Sequence, residues 1–203
     1  MVKVIVTAVP GAGKTTILQK VSEKLKDIKI INFGDIMFEE AKKKFGISSR
    51  DEMRVKIGLH EYRLLQEAAG EIIGRMDGDI IIDTHASVKT PYGYYPGLPS
   101  KVLEEIKPDA IVFLEFRPED ILARRVKDLA KTESEGKRIR EVERIEDVEE
   151  HQRISREMAA AAANHISCYF QVIRFLEPQK YPYQHAEEGA SKIIELVEKL
   201  RSL

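Results

Sequence analysis

Residues 2–16, Val-Lys-Val-Ile-Val-Thr-Ala-Val-Pro-Gly-Ala-Gly-Lys-Thr-Thr, decide the fold of this chain of 203 residues. The β-branched run from Val2 to Thr7 predicts a buried strand, and apolar residues at helical spacing follow between 14 and 26. Between the two, residues 8–16 fit the Walker A pattern, except that Ala8 holds the first glycine position. Glycines let the backbone curl so that successive N–H groups converge on a phosphate, and the helix start adds its positive dipole end. We call residues 8–16 the P-loop, and they predict a site for a nucleoside triphosphate.

Each polar side chain of the P-loop has an expected partner on that nucleotide. Lys14 would reach the β- and γ-phosphates, Thr15 would face a magnesium ion, and Thr16 would donate to the α-phosphate. Because we place Lys14 in a surface loop, we expect a Lys14→Ala variant to fold. The alternative is a chance glycine-rich turn, which Gly-Lys-Thr-Thr directly after a β-branched run makes improbable. The predicted ATP-binding residues are Ala8, Val9, Pro10, Gly11, Ala12, Gly13, Lys14, Thr15 and Thr16.

Beyond the P-loop, strand and helix patterns alternate along the chain. Continuous apolar runs predict further strands, and such runs separated by helices indicate a parallel sheet covered on both faces. We therefore expect an α/β fold of the P-loop NTPase type, with three layers and five parallel strands. One domain, 1–203, would carry a nucleotide-binding insertion at about 35–76 and a lid at about 131–144, and residues 84–99 are expected to form a long loop. The four further strands are predicted at 29–33, 79–83, 110–116 and 169–176.

Composition excludes several classes of protein. The chain has 33 Lys and Arg against 34 Asp and Glu, so no basic arm for nucleic acid dominates it. One cysteine, Cys168, cannot form an internal disulfide, which fits a reduced, cytoplasmic protein. No apolar run reaches the roughly 18 residues that span a bilayer. We expect neither nucleic acid nor membrane among its partners.

Asp83 follows three isoleucines at the end of the third predicted strand. A carboxylate at that edge of the sheet resembles a Walker B residue, which holds magnesium directly or through water. The alternative is a strand-end aspartate in a turn. With the P-loop already predicted, we favour magnesium as cofactor and Thr15 and Asp83 as its ligands.

Several kinds of P-loop protein lack support here. A GTPase would carry Asn-Lys-x-Asp, which does not occur, and a motor or transporter ATPase would normally be larger. A small-molecule kinase needs an acceptor pocket and a closing lid, and the chain has candidates for both. Arg50 and Arg54 share one helix face, and two guanidinium groups suit a phosphate monoester. We give equal weight to the alternative that this face is simply solvated.

A lid would contribute arginines, because phosphoryl transfer depends on alignment and neutralisation of charge. We expect two or three of six arginines to act and the others to form surface ion pairs with nearby glutamates. The predicted catalytic residues are Lys14, Arg125, Arg138 and Arg140, and the remaining lid candidates are Arg124, Arg153 and Arg156.

At this point the motifs resemble those of the archaeal-type adenylate kinases. They occur in the family's order over about three quarters of the chain, and the pair Asp-Thr-His and Tyr-Tyr-Pro-Gly-Leu-Pro is specific. The resemblance implies a nucleoside-monophosphate-kinase fold, the reaction ATP + AMP ⇌ 2 ADP with magnesium, and a homotrimer. The stretches that carry it are 10–16, Asn32-Phe-Gly-Asp35, 50–54, Asp83-Thr-His85, 89–99 and Glu149-Glu-His-Gln152.

The resemblance also assigns the acceptor side. Gly34 and Asp35 look like the Gly-Asp at the entrance of the monophosphate pocket. Phe38 stands where an arginine for the AMP phosphate is usual, and the segment after Asp83 lacks the second familiar arginine. We infer that other cations supply that charge, so the predicted AMP-binding residues are Gly34, Asp35, Arg50, Arg54 and Lys89. Tyr92, Tyr94 and Tyr95 would stack on AMP or, equally, pack their loop.

Two other functions stay open at this stage. One is a kinase for a different small acceptor, such as CMP, UMP or a nucleoside. The other is a nucleotide-gated binding protein with weak hydrolysis only.

Overall fold

The computed structural model describes residues 1–133 and 143–203, with side chains except at positions 51, 54, 55 and 128–133. The strands in chain order are β1 (Lys3–Thr7), β2 (Lys29–Asn32), β3 (Ile80–Thr84), β4 (Ser87–Thr90), β5 (Gly93–Pro96), β6 (Ala110–Phe116) and β7 (Tyr169–Phe175). The helices are α1 (Lys14–Lys24), α2 (Phe33–Phe45), α3 (Arg50–Lys56), α4 (Leu59–Gly74), α5 (Ser100–Ile106), α6 (Pro118–Glu133), α7 (Ile145–Ile166) and α8 (Gln184–Arg201).

Five strands form one parallel sheet in the order β2-β3-β1-β6-β7. This confirms the predicted α/β fold and all five predicted strands. Every residue of β1 is buried, as expected for the central strand of a sheet with helices on both faces. Because the strands run parallel, the carboxyl ends of β1, β2 and β3 lie at the same edge.

Alternate residues of the sheet face two separate hydrophobic cores. Val4 and Val6 pack with α1 and α8 on one face, while Ile5 packs with α2, α4 and α5 on the other. The two cores hold the central strands rigidly from both sides. The edge where β1, β2 and β3 end is therefore a fixed platform for side chains.

The prediction of a long loop at 84–99 is wrong, because most of this stretch is the antiparallel hairpin β4-β5. Thr90 and Gly93 close its two-residue turn: the Thr90 hydroxyl donates to the Gly93 carbonyl at 2.8 Å, and Gly93 has a φ of 108°. The strands alternate in the side chains they present, with Tyr94 and Tyr95 pointing to opposite faces of the hairpin. The stretch contains proline, glycine and three tyrosines, so its alternation of side chains was not recognised as a strand pattern in the sequence.

Three helices, α2, α3 and α4, occupy most of the predicted nucleotide-binding insertion at 35–76. Helix α2 begins at Phe33, two residues before the predicted start, because the Asn32 side chain accepts a hydrogen bond from the Asp35 N–H at 3.1 Å. Most of the predicted lid, at 134–142, lies outside the described residues. The division of 1–203 into a core and two insertions stays a prediction.

Candidate functional site

The P-loop joins β1 to α1 through two glycines in the left-handed region. Gly11 has a φ of 79° and Gly13 a φ of 89°, conformations that other residues rarely adopt. Gly13 caps α1 without a side-chain acceptor, and the first turn of α1 holds no acidic residue. The positive end of the α1 dipole therefore faces the loop with no acidic side chain in the helix's own first turn to oppose it, which favours a bound phosphate.

Lys14 is buried rather than exposed, so its placement in a surface loop is wrong. Its ammonium group forms an ion pair with the Asp83 carboxylate and donates to the Thr84 carbonyl at 2.6 Å. Burial lowers the pKa of Lys14 to about 7 by desolvation, and the carboxylate of Asp83 favours the charged form. A poly-anionic ligand beside the loop would act in the same direction as Asp83.

The two predicted metal ligands come from neighbouring elements. Asp83 lies at the carboxyl end of β3, in register with Val6 of β1 on one side and Asn32 of β2 on the other. Thr15 is exposed in the first turn of α1, and Thr16 beside it is half-buried. A carboxylate and a hydroxyl are oxygen ligands that suit Mg²⁺, which commonly takes only one or two from the protein and the rest from phosphate and water. Within the described part of the chain, no three His, Cys, Asp or Glu side chains cluster as around a metal ion.

Two consecutive arginines of α6 hold the P-loop from outside. Arg125 donates to the Pro10 carbonyl, and Arg124 donates to the Ala12 carbonyl at 2.8 Å. The Arg124 guanidinium also lies 5.1 Å from the centre of the Phe116 ring, and burial lowers its pKa by desolvation. The predicted catalytic residue Arg125 is thus next to the loop that it would serve. Arg124, named only as a lid candidate, has a matching position.

The acceptor-side residues meet where β2 passes into α2. The Arg50 guanidinium forms an ion pair with the Asp35 carboxylate and lies 3.4 Å from the Asn32 side-chain oxygen. A methyl group on Gly34 would lie 3.3 Å from the Asn32 side-chain oxygen and 3.5 Å from Arg50, so Gly34 lies beside both residues. Arg54 belongs to the same helix, α3, but its side chain is outside the described set.

Lys89 reaches the donor side through a shared glutamate. Its ammonium group lies 3.4 Å from a Glu143 carboxylate oxygen, and the other oxygen of Glu143 contacts Arg125. One predicted AMP-binding residue and one predicted catalytic residue are thus joined by a single carboxylate. The other two predicted catalytic arginines, Arg138 and Arg140, lie outside the described residues.

The remaining lid candidates form ion pairs away from the P-loop. Arg153 pairs with Glu157 one turn along α7, and Arg156 pairs with Glu115 of β6 at 2.8 Å. These are the surface pairs that we expected for some of the six arginines.

The tyrosines of the hairpin differ in their surroundings. Tyr92 is fully exposed at the turn, whereas Tyr94 packs on the His151 ring at 5.2 Å and Tyr95 packs edge-on against Tyr62 at 5.5 Å. Packing therefore occupies Tyr94 and Tyr95.

His85 follows β3 and contacts the start of the P-loop. Its Nδ1 lies 2.6 Å from the Ala8 carbonyl oxygen, and because a carbonyl only accepts, this contact requires a proton on Nδ1. The histidine thus links the end of β3 to the start of the P-loop.

Sequence reasoning missed the roles of Asn32 and Gln152. Asn32 donates to the Asp83 carboxylate at 3.0 Å, and its position at the end of a strand next to that of Asp83 was the available signal. Gln152 is buried on α7, where its amide accepts from the Phe116 N–H at 3.0 Å and donates to the Phe116 carbonyl at 2.9 Å. It completes the backbone pairing where β6 ends, and no local pattern in the sequence indicates this.

Comparison with known proteins places these features in a family. A family model described as an AAA domain matches residues 7–149. The adenylate kinase of Pyrobaculum aerophilum is 48% identical over 200 residues, which cover 98% of each chain. The adenylate kinase of Pyrococcus abyssi is 38% identical over 96% of this chain and 94% of its own, and that of Methanopyrus kandleri is 37% identical over 98% of each.

Solved structures show the same fold at low sequence identity. The shikimate kinase of Acinetobacter baumannii superimposes with a TM-score of 0.56 at 16% identity, over 98% of this chain and 94% of its own. A gluconokinase of Sinorhizobium meliloti gives a TM-score of 0.51 at 13% identity, over 98% and 97%. At such identities the likeness concerns the fold alone.

Proposed function

The chain belongs to the adenylate kinase family, and we propose that it catalyses the reversible, magnesium-dependent transfer of a phosphoryl group from ATP to AMP, giving two ADP. The observation that carries the proposal is a chain of contacts at one edge of the sheet. It runs from Lys14 through Asp83 and Asn32 to Arg50, and so connects the P-loop to the predicted monophosphate pocket. A phosphoryl group could pass from donor to acceptor along this edge.

The P-loop residues would hold the donor. The backbone N–H groups of the loop and the first turn of α1 would bind the phosphates of ATP, with Thr16 at the α-phosphate. Lys14 would leave the Asp83 carboxylate and move to the β- and γ-phosphates. There its positive charge would neutralise the negative charge that develops on the transferred group. Arg125 and Arg124 hold the carbonyls of Pro10 and Ala12, and this keeps the loop's N–H groups aimed at one point.

Thr15 and Asp83 would hold magnesium. A magnesium ion held there would supply positive charge that stabilises the transferred phosphoryl group. The Asp83 carboxylate has a fixed orientation for this task, because Asn32 donates to the oxygen that Lys14 does not contact.

The acceptor side would bind AMP through its phosphate. Arg50, Arg54 and Lys89 would supply positive charge, with Gly34 beside the Arg50 guanidinium. A phosphate oxygen of AMP attacks the γ-phosphorus, and the bond from that phosphorus to the bridging β–γ oxygen breaks, so both products are ADP. No general base is needed, because the acceptor phosphate is already ionised at neutral pH. Arginines of the predicted lid, Arg138 and Arg140, would exclude water, which would otherwise take the phosphoryl group.

A coupled assay of ADP formation tests the proposal. ATP and Mg²⁺ would be combined in turn with AMP, CMP, UMP and adenosine, and AMP should be the fastest acceptor. Faster turnover of CMP, UMP or adenosine would identify a kinase for a different acceptor. Affinity for ATP without turnover of any acceptor would identify a nucleotide-gated binding protein.

Two further expectations remain predictions. The described helices are all too short or too polar to cross a lipid bilayer. The cytoplasmic location inferred from the single cysteine stays a prediction. The homotrimer implied by the family resemblance would be tested by light scattering of the purified protein.

A further inference from the structure

Asn32 contacts both halves of the candidate site with one side chain. Its amide nitrogen donates to the Asp83 carboxylate at 3.0 Å. Its amide oxygen accepts from the Asp35 N–H at 3.1 Å and lies 3.4 Å from a guanidinium nitrogen of Arg50. The residue is thus at once the cap of α2, a neighbour of the predicted metal ligand and a neighbour of the predicted phosphate-binding arginine.

Only one orientation of the Asn32 amide satisfies all three contacts. The nitrogen must face the carboxylate of Asp83, which only accepts, and the oxygen must face two groups that only donate. An aspartate at this position would place two carboxylates next to each other. A serine has a single hydroxyl and lacks the separate donor and acceptor groups of an amide. The chemistry of the three partners therefore specifies asparagine.

The three contacts also join groups of different exposure. Asp83 and Lys14 are buried at the P-loop, whereas the side chains of Arg50 and Asp35 are 42% and 66% exposed at the acceptor side. Asn32 connects the buried pair to the exposed pair, because it ends β2 in register with Asp83 and begins the turn into α2.

We propose that Asn32 is a positioning residue that orients the Asp83 carboxylate and the Arg50 guanidinium together, so that the metal-binding side and the monophosphate-binding side assemble as one unit. The part of this proposal that concerns Arg50 and AMP rests on the proposed function. The part that concerns the Asp83 carboxylate is testable by nucleotide binding alone.

The test compares Asn32→Ala with a matched control, Ser49→Ala. Ser49 caps α3 by accepting from the Glu52 N–H at 3.0 Å, so both variants lose one helix cap, but Ser49 does not contact Asp83. Because loss of a cap costs stability, Asn32→Gly is made as well, since glycine is a better cap than alanine. Titration calorimetry measures the affinity for AMP-PNP, an ATP analogue whose γ-phosphoryl group is not transferred, with Mg²⁺ and again with EDTA, and steady-state assays measure the KM for AMP.

Asn32→Ala and Asn32→Gly should weaken AMP-PNP binding with Mg²⁺ by about tenfold, as expected for a residue that orients a metal ligand. AMP-PNP binding in EDTA should stay within about twofold of the wild type, because the P-loop itself is unchanged. Both variants should raise the KM for AMP, and combination with Arg50→Ala should raise it by less than the product of the separate effects, because the two residues act together. Ser49→Ala should leave the AMP-PNP affinity unchanged.

Two results would overturn the inference. One is unchanged magnesium-dependent AMP-PNP affinity in both Asn32 variants. The other is an equal loss in Ser49→Ala, which would reduce Asn32 to a helix cap. If the wild type shows no AMP-dependent turnover, the proposed function fails, while the calorimetric comparison still decides whether Asn32 orients Asp83.

Discussion

Arg125 donates two hydrogen bonds to the carbonyl oxygen of Pro10, from Nε at 2.9 Å and from Nη2 at 2.7 Å. Its third nitrogen contacts the Glu143 carboxylate. A planar guanidinium held at three points has one orientation relative to the P-loop, which a flexible ammonium group could not reproduce. A methyl group on Gly11 would lie only 2.7 Å from Arg125, so the arginine packs directly on the loop.

Replacement of Arg125 by lysine should therefore impair the donor side selectively. We expect the kcat/KM for ATP to fall about tenfold, equivalent to about 1.4 kcal/mol, while the KM for AMP changes little. Arg153→Lys is the matched control, because Arg153 pairs with Glu157 along α7 and does not contact the P-loop. An equal loss of activity in both variants, or none in Arg125→Lys, would contradict this role.

Lys14→Ala should abolish turnover and also destabilise the protein. The ammonium group supplies charge to the phosphates, so activity should fall far more than tenfold. Its loss also leaves the Asp83 carboxylate buried without its cation, which costs about 3 kcal/mol by comparison with broken buried ion pairs. Chemical denaturation measures the stability and the coupled ADP assay measures the activity.

The double variant Lys14→Ala, Asp83→Asn separates the two effects. An amide at position 83 needs no cation, so part of the lost stability should return. Activity should not return, because the double variant lacks both the lysine and the metal-binding carboxylate. Recovery of activity would show that Lys14 acts only on Asp83.

The sequence predicted the sheet because its signal is local. The three central strands, β3, β1 and β6, consist mainly of apolar residues, and Gly11, Gly13 and Lys14 identify the P-loop by type and spacing alone. The hairpin at 87–96 was not predicted, because two strands of four residues each are too short for a clear alternation. Its stability depends on packing against other elements, such as the Tyr95 contact with Tyr62.

The candidate site was predicted by residue type but not by connection. Asp83, Arg50 and Arg125 were named from the sequence as site residues. The contacts that join them to their partners, from Asn32 to Asp83 and from Glu143 to Arg125, were not predicted. Arg125 binds a backbone carbonyl, and every residue offers one, so no pattern of side chains marks that contact. The burial of Lys14 likewise follows from the meeting of β1 and β3, which local sequence does not encode.

Gly97→Ala should destabilise the protein, because Gly97 packs against backbone. A methyl group there would lie 1.9 Å from the His85 carbonyl oxygen. The Gly97 N–H also donates to the Ala86 carbonyl at 2.9 Å, so the backbone at Gly97 and the backbone at His85 cannot move apart without breaking this hydrogen bond. We expect a loss of about 3 kcal/mol in the free energy of unfolding. The displaced His85 would also disturb its contact with Ala8 of the P-loop.

Gly58→Ala is the control for this substitution. A methyl group on Gly58 would meet only the end of the Glu61 side chain, which can move away. Denaturation of the two variants side by side should show a large loss for Gly97→Ala and a smaller loss, of about 1 kcal/mol or less, for Gly58→Ala, because Gly58 caps α4 and alanine is a poorer cap. Similar losses would mean that close backbone contact at Gly97 is not the cause.

His151 should make stability depend on pH in the acid range. It is buried against Tyr94, and desolvation, with a smaller contribution from the charge of Arg125, lowers its pKa from 6.5 to about 4. Between these two values the unfolded chain binds a proton that the folded chain does not. Stability from this group is therefore full above about pH 6.5 and is lost as pH falls towards 4, by at most about 3 kcal/mol.

His151→Phe removes the proton but keeps an aromatic ring against Tyr94. The free energy of unfolding, measured at several pH values from 4 to 7, should rise less steeply with pH in this variant than in the wild type. The comparison concerns the slope, because phenylalanine loses the histidine's hydrogen bond to the backbone of Ser87 and so changes the absolute stability. Equal slopes in the wild type and His151→Phe would show that His151 binds its proton as readily in the folded chain as in the unfolded one.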